Sequence, residues 1–251
     1  MKKCVSGIYL LVLILTSSSS AATLTDNFDN GLSSQLWQAT QTNASDSPWN
    51  ISAPDEIGML KMSKAADKDS LTYVGAAVSS KFTLLGDFSV SVDFHIINLP
   101  SSSAYGWNET FLNVGSLTTQ SSFQIIRLGY QLDSGQAVEA WSSMEGDVGL
   151  MTDYTNNGIF KITRSGNRLS AYINRGYGDV LVGSTSSNSL LDAMNVNICL
   201  VQQDNCPLGR PHNALDVRFD NFTATADSII IPEPVTFALV GLGGLLLRRK
   251  K

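Results

Sequence analysis

Charged side chains are scarce in this sequence and unevenly placed. They make up 16% of the 251 residues, and six of the 17 basic residues lie at the two ends: Lys2, Lys3, Arg248, Arg249, Lys250 and Lys251. The rest of the chain holds 11 basic residues against at least 21 acidic ones, which gives it a net charge of about −10. Nucleic-acid binding requires a basic surface. The composition therefore argues against nucleic acid as a partner.

The patterns that several catalytic and metal sites require are also missing. No group of cysteines and histidines has the spacing of a zinc site, and no Gly-x-Ser-x-Gly segment provides a nucleophile elbow. Neither of the two histidines, His95 and His212, has a nucleophile at a spacing that would indicate a catalytic pair. The middle of the chain also lacks a helical period of apolar residues, which argues against a helical domain.

The middle of the chain shows instead the period-two alternation of half-buried strands. Residues 87–96 are the clearest example, with apolar side chains on one face and Asp, Ser and His on the other. Further strands are predicted at 57–63, 72–84, 105–114, 122–131, 136–144, 158–164, 168–173, 180–184, 195–203 and 215–219. Turn signals such as Asn30-Gly31 separate them. We therefore expect one all-β domain, a sandwich or barrel, over 23–229.

The N-terminal residues 1–22 have the three parts of a secretory signal peptide. Lys2 and Lys3 are followed by an unbroken apolar run from Ile8 to Leu15 and then by small residues up to Ala22. The run is too short for the ~20 residues of a membrane-spanning helix, and Cys4 precedes it, which argues against a lipoprotein. We expect an N-terminal signal helix, export, and cleavage by signal peptidase near Ala22.

The C-terminal residues 230–251 form a second predicted targeting signal. Pro232, Glu233 and Pro234 precede thirteen uncharged residues that end in an Arg/Lys cluster. As a helix this segment reaches about 20 Å, short of a ~30 Å hydrocarbon core. The tail resembles a PEP-CTERM sorting signal, which in Gram-negative bacteria is read by exosortase. The resemblance implies a short hydrophobic helix that holds the protein briefly in the inner membrane before release to the cell surface or matrix; an ordinary anchor with an accidental Pro-Glu-Pro is the alternative.

The order of the predicted strands carries a second resemblance. Between the two targeting signals, the first predicted strand lies in 24–31 and the last in 217–223. A long alternating strand at 87–96 and a hairpin over 160–172 lie between them. This resembles the concanavalin A-like lectin/glucanase jelly roll, including its laminin G-like members, although another β-sandwich is an alternative. The resemblance implies a two-sheet jelly-roll sandwich in which the first and last strands pair.

Glucanases of this fold carry a Glu-x-Asp-x-x-Glu strand, and the sequence does not reproduce it. Glu139, Glu145 and Asp147 come nearest, but their spacing differs, Asp147 is expected in a turn after Gly146, and the same-face neighbours of Glu139 on its own strand carry no carboxylate. Glycoside hydrolysis needs a pair of carboxyl groups. We therefore interpret these residues as solvated acidic strand edges and predict no catalytic residues.

The chain has three cysteines, of which Cys199 and Cys206 follow the signal peptide. Export to an oxidising compartment favours a disulfide between them. The alternative is a buried Cys199 and a free Cys206.

A structural calcium ion is a candidate cofactor. Asp26 and Asp29 lie near the first strand, and calcium prefers carboxylate and carbonyl oxygens. Asp220 is added by the lectin/glucanase resemblance, which implies a calcium ion bridging the paired termini. A hydrogen-bonded turn at Asn30-Gly31 is the alternative.

Carbohydrate contact in such a sandwich would use exposed aromatic rings. The candidates are Trp107, Trp141 and Tyr172. Tyr172 is expected to be the most exposed, because it falls on the polar side of its alternating strand. The alternative places both tryptophans in the core. We predict a non-catalytic surface or matrix protein that contacts exopolysaccharide, with a glycan-cleaving enzyme of non-standard site or a purely structural envelope protein as alternatives.

Overall fold

A computed structural model describes residues 21–42, 49–66, 73–100, 106–132, 135–153, 155–204 and 213–232. These residues form fifteen strands and one short 3-10 turn at Asn188–Leu191. The strands are β1 Ala22–Asp26, β2 Trp37–Thr42, β3 Trp49–Ser52, β4 Leu60–Lys64, β5 Tyr73–Ser80, β6 Thr83–Asn98, β7 Gly106–Ser116, β8 Ser122–Leu132, β9 Gly135–Ser142, β10 Gly146–Thr152, β11 Asn157–Ser165, β12 Arg168–Asn174, β13 Asp179–Ser186, β14 Met194–Asp204 and β15 Leu215–Ile230.

The all-β prediction is confirmed. Within the described ranges, no helix has the length and apolar character needed to cross a membrane. The predicted signal helix and C-terminal hydrophobic helix lie outside those ranges and stay predictions.

The strands form two antiparallel layers. Sheet A has the order β2-β5-β14-β7-β8-β9-β10. In sheet B, β15 lies between β6 and the pair β1 and β4; β11, β12 and β13 follow beyond β6, and β3 pairs with β4. A single residue pair, Met194 with Leu84, joins β14 to β6. This arrangement is consistent with the two-sheet jelly-roll sandwich that the resemblance implies.

The apolar residues of alternating strands meet between the two sheets. On β6, Phe88, Val90, Val92 and Phe94 are buried, whereas the residues between them are half-exposed. Phe94 stacks on Phe160 of β11 with ring centroids 4.2 Å apart. The strand predicted at 87–96 is thereby confirmed, and its burial follows from the period of two.

The first and last strands pair as predicted. β1 runs antiparallel to β15, from Ala22 opposite Ala226 to Asp26 opposite Phe222. The indole of Trp37 donates a hydrogen bond of 2.9 Å to Asp26 and contacts the Phe222 ring edge-on. The amino end of the sandwich is thus closed by contacts that are distant in sequence.

Among the strands that were not predicted from the sequence, β10 matters most for the site. Gly146 has φ of 77°, a left-handed conformation that glycine adopts readily, and it turns the chain back so that Asp147 pairs with Trp141 of β9. The prediction that Asp147 lies in a turn is therefore wrong, because the turn ends at Glu145 and β10 begins at Gly146. Strands β2 and β3 were not predicted either, since their sequences are short and polar.

Candidate active site

Three carboxyl groups point to the outer face of sheet A, the face turned away from the core. Glu109 lies on β7, Glu139 on β9 and Asp147 on β10. Their strand neighbours Thr110 and Ala140 are buried on the inner face. Because successive side chains of a strand alternate between faces, each carboxyl is directed outward.

Glu109 is surrounded by apolar side chains. Its cross-strand partners are Val201 of β14 and Leu128 of β8, both buried. Burial raises the pKa of Glu109 to about 7, against a hydrogen bond from the Trp107 side chain that lowers it. Near neutral pH this carboxyl therefore exists in both its protonated and its ionised form.

Glu139 and Asp147 form a carboxyl pair. Burial, a hydrogen bond with Asp147 and the charges of Asp147 and Glu109 together raise the pKa of Glu139 to about 8. Two carboxyl groups can hydrogen-bond to each other only when one of them holds a proton. The pair therefore holds a proton at neutral pH, with Glu139 as its carrier.

A small apolar cluster, separate from the main core, lies beside the carboxyls. It contains Ile126, Leu128 and Ala137, against which Phe111 and Trp141 pack. Apolar surroundings disfavour the charged form of a carboxyl group. The cluster therefore supplies the desolvation that raises the pKa values of Glu109 and Glu139.

The interpretation as solvated strand edges is wrong for Glu139, which is partly buried, whereas Asp147 is exposed on the edge strand β10 as expected. Glu139 has no carboxylate neighbour on its own strand, but its partner Asp147 lies across the hairpin and Glu109 lies two strands away. Glu145, the third residue of that set, is exposed in the hairpin turn. Glu109 was missed as a site residue, although it alternates in phase with Trp107.

The three aromatic candidates for glycan contact do not lie together. Trp107 and Trp141 are half-buried on the outer face of sheet A. Tyr172 lies on β12 of sheet B, where Lys161 stands 5.9 Å from its ring centroid. The register places Trp141 level with Asn113, which is six residues from Trp107 on β7. The two tryptophans therefore share a face of sheet A without being adjacent, Tyr172 lies on the other sheet, and glycan contact at these residues stays a prediction.

The candidate calcium ligands are only partly brought together. Asp26 accepts hydrogen bonds from the Phe28 backbone N–H and the Trp37 indole. Burial raises the pKa of Asp220, and the charges of Asp93 and Asp29 act in the same direction. In the described part of the chain, no group of three or more His, Cys, Asp or Glu residues is arranged to hold a metal ion. The calcium site stays a prediction.

The remaining candidates lie away from the carboxyls or outside the described residues. His95 on β6 shares a 3.0 Å hydrogen bond with Asn157. Cys199 is buried on the outer face of sheet A, and burial raises the pKa of its thiol. Cys206, His212, Glu233 and Pro234 lie outside the described residues, so the disulfide and the sorting motif that begins at Pro232 stay predictions.

No family model matches the chain, and no curated protein matches it in sequence. Solved structures do match. The catalytic domain of an endo-1,3-beta-glucanase (laminarinase) from Thermotoga petrophila is 13% identical with a TM-score of 0.56, over 83% of this chain and 99% of that chain. The LamA protein of Z. galactanivorans, in complex with laminaritriose and laminaritetraose, is 13% identical with a TM-score of 0.55, over 82% and 98%. The winged bean acidic lectin, complexed with methyl-alpha-D-galactose, is 11% identical with a TM-score of 0.54, over 84% and 100%.

At these identities the likeness establishes the fold. The chain has the concanavalin A-like lectin/glucanase jelly roll, as the sequence resemblance implied. The prediction of a non-catalytic protein is wrong, since the matched structures include a laminarinase catalytic domain and its premise, an unpartnered Glu139, fails. The Glu-x-Asp-x-x-Glu strand is still absent, because the carboxyls here come from three strands.

Proposed function

We propose that the protein is a glycoside hydrolase that cleaves a polysaccharide on the outer face of sheet A. The observation that carries the proposal is the group Glu109, Glu139 and Asp147, in which the pKa values of two carboxyls are raised to about 7 and about 8. Glycosidic cleavage requires a carboxyl group that is protonated at working pH beside a second carboxyl that can ionise. This set meets both requirements.

Glu139 is the proton donor of the proposed mechanism. Its hydrogen bond with Asp147 and its partly buried position keep it protonated at neutral pH. As the glycosidic bond breaks, Glu139 transfers its proton to the leaving oxygen. Asp147 is a positioning residue, because it holds the Glu139 carboxyl and raises its pKa.

Glu109 is the second carboxyl. Above a pH of about 7 it is largely ionised, and it then acts on the sugar from a strand two positions away from Glu139, as nucleophile or as the base for a water molecule. The Trp107 side chain hydrogen-bonds to it and so supports its ionised form. Trp107 and Trp141 supply apolar rings of the kind on which sugars stack.

The test is the release of reducing ends from laminarin and other uncharged β-glucans by the purified full chain. Replacing Glu139 with Gln keeps the size of the side chain and removes the proton donor, so we expect a loss of about 10²–10⁴-fold in kcat. Glu145→Gln is the matched control, because Glu145 is exposed in the adjacent turn. A wild-type protein that releases no reducing ends from any of these glucans, or a Glu139→Gln variant that is fully active, would contradict the proposal.

We propose in addition that the enzyme is exported and acts at the cell surface or in the extracellular matrix. The three-part signal peptide at 1–22 and the Pro232-Glu233-Pro234 tail support this. Signal peptidase and exosortase are then its processing partners, and an exopolysaccharide is its substrate. A calcium ion beside Asp29 and Asp220 would be structural in this proposal.

A further inference from the structure

One end of the sandwich carries a group of exposed aliphatic side chains. At this end Met194, the first residue of β14, lies opposite Ser116 of β7 and Leu84 of β6. Thr83, the first residue of β6, lies opposite Ile230, the last residue of β15. We call this the exit end, because the chain leaves the domain here. Its exposed aliphatic residues are Leu117, Leu191, Ile230 and Ile231.

These side chains lie on neighbouring segments. The strand order at the exit end is β7, β14, β6 and β15, and three spacings of about 4.8 Å give a width of about 14 Å. The backbone N–H of Leu117 donates a 3.2 Å hydrogen bond to the carbonyl oxygen of Ala193, two residues after Leu191. Single exposed apolar residues are common, whereas contiguous ones mark contact surfaces. The exit end therefore has the composition of a contact surface.

Both predicted targeting signals join the domain at the exit end. β15 ends there at Ile230, and β1 begins at Ala22, which lies opposite Ala226 of β15. Pro232, Glu233 and Pro234 then separate Ile231 from the uncharged run that begins at Val235. The four residue steps from Ile231 to Val235 span at most about 14 Å, even in a fully extended chain.

This short connection limits how far the domain can stand from a membrane. The headgroup region of a bilayer adds about 5–8 Å on each side of the hydrocarbon core. In the proposed export, the uncharged run 235–247 enters that core. The exit end is then held at the headgroup region, where exposed aliphatic side chains gain apolar contact.

The acidic groups beside the aliphatic residues are engaged within the protein. Asp192 accepts hydrogen bonds from the hydroxyl groups of Ser116 and Thr118. Asp227 accepts one from the backbone N–H of Asp87. Carboxylates are repelled by anionic lipid headgroups. Contact with a bilayer at this end therefore depends on apolar burial and not on attraction to anionic lipid.

We infer that the exit end is a membrane-docking surface, in which Leu117, Leu191 and Ile230 enter the interfacial region of the bilayer while 235–247 is held in its core. The inference rests on the export part of the proposed function and adds the face of the domain that meets the lipid. Glu109 lies seven residues from Ser116 along β7, a path of about 23 Å. Docking therefore leaves this carboxyl away from the bilayer and open to a polysaccharide.

Lipid photolabelling of the full chain tests the inference. The chain is reconstituted in phosphatidylcholine vesicles that include a phosphatidylcholine with a diazirine near its headgroup, and mass spectrometry locates the label after irradiation. We expect label in the segments that contain Leu117 and Leu191, as well as in 235–247. Ile97, exposed at the far end of β6, should carry less label by about tenfold, because the interface is only about 5–10 Å deep.

Charged substitutions test the contribution of the docking surface itself. Leu191→Asp should lower the label in the Leu117 segment by about threefold, because it replaces apolar contact with a charge. Ile97→Asp is the matched control and should leave that label unchanged. Circular dichroism checks that each variant is folded. Leu117→Asp, measured at the Leu191 segment, keeps the test open if Leu191→Asp does not fold.

Label in 235–247 without label in the Leu117 and Leu191 segments would overturn the inference and leave the sorting signal in place. The same result is expected if a second copy of the chain covers the exit end. Absence of label from 235–247 as well would contradict both the docking surface and the proposed membrane segment. Hydrolysis of laminarin tests the proposed catalysis separately, because it does not require the membrane.

Discussion

Burial of Glu109 affects activity and stability in opposite directions. A carboxyl whose pKa is higher in the folded chain than in the unfolded chain favours folding while it is protonated. That contribution is complete below about pH 4.5, the ordinary value, and is lost as the pH rises to about 7. Above pH 7 the ionised side chain therefore lowers the stability of the fold that positions it.

Glu109→Gln should raise the melting temperature above pH 7, because the amide is uncharged at every pH. The gain should shrink towards pH 4.5, where Glu109 is protonated, with about 2–4 °C for each kcal/mol in a chain of this size. Thermal denaturation at several pH values measures it, and hydrolysis should be lost in the same variant. An equal shift in melting temperature at pH 4 and pH 8 would contradict the buried, titrating Glu109.

The pH dependence of hydrolysis should be bell-shaped with a narrow maximum. Activity should rise as Glu109 loses its proton near pH 7 and fall as Glu139 loses its proton near pH 8. The measurement is kcat/KM for laminarin from pH 5 to pH 10. A maximum near pH 5 would indicate that other groups perform the catalysis.

Asp147→Asn should move the alkaline limb of that profile to lower pH. The carboxyl of Asp147 raises the pKa of Glu139 both by its hydrogen bond and by its charge, and the amide removes the charge. Glu145→Gln serves as the control and should leave both limbs in place. An unchanged alkaline limb in Asp147→Asn would show that Asp147 does not act on Glu139.

At the scale of elements, β10 joins the site to the edge of the sandwich. It carries Asp147 on the outer face of sheet A, and its backbone approaches β13 of sheet B. A Cβ added at Gly149 would lie 2.0 Å from the carbonyl oxygen of Val182, and one at Gly183 would lie 2.8 Å from the carbonyl oxygen of Val148. Two glycines therefore allow the edges of the two sheets to meet.

Gly149→Ala should destabilise the protein, because the new methyl group would overlap a backbone carbonyl and force β10 away from β13. We expect a loss of about 1–3 kcal/mol, measured by thermal or denaturant unfolding. Leu150→Ala, at an exposed neighbouring position on the same strand, is the control and should change stability little. Equal stability of Gly149→Ala and the wild type would mean that β10 and β13 do not meet closely.

At the scale of the whole molecule, the paired terminal strands β1 and β15 lie directly inside the two predicted targeting signals. β1 begins at Ala22, where signal peptidase is expected to cut, and β15 ends at Ile230, just before Pro232. The fold thus uses nearly all of the chain between the two signals, so that removal of both would leave the sandwich whole.

The secreted protein should begin near Thr23 and end near Ile231. The physical reason is that the predicted signal peptide and C-terminal sorting signal lie outside the paired strands β1 and β15 and can be removed without breaking that pairing. Intact-mass spectrometry of protein from the culture medium measures both ends. Retention of Leu245 to Leu247 in the secreted form would contradict the processing at Pro232-Glu233-Pro234.

The sequence by itself determined the all-β class and most strand positions, because the period of two in segments such as 87–96 is a local property that reports which face is buried. It also allowed the pairing of the first and last strands to be expected through a family resemblance. The short polar strands β2 and β3 carry no such period, since they lie at or near the sheet edges, and they could not be predicted.

Only the tertiary structure brings the three carboxyl groups of the candidate site together. Glu109, Glu139 and Asp147 come from three strands, and their proximity depends on the register of β7, β8, β9 and β10, which no single strand specifies. Their pKa values and hydrogen bonds follow from that pairing, because desolvation and charge act over a few ångströms in space, whatever the separation along the chain.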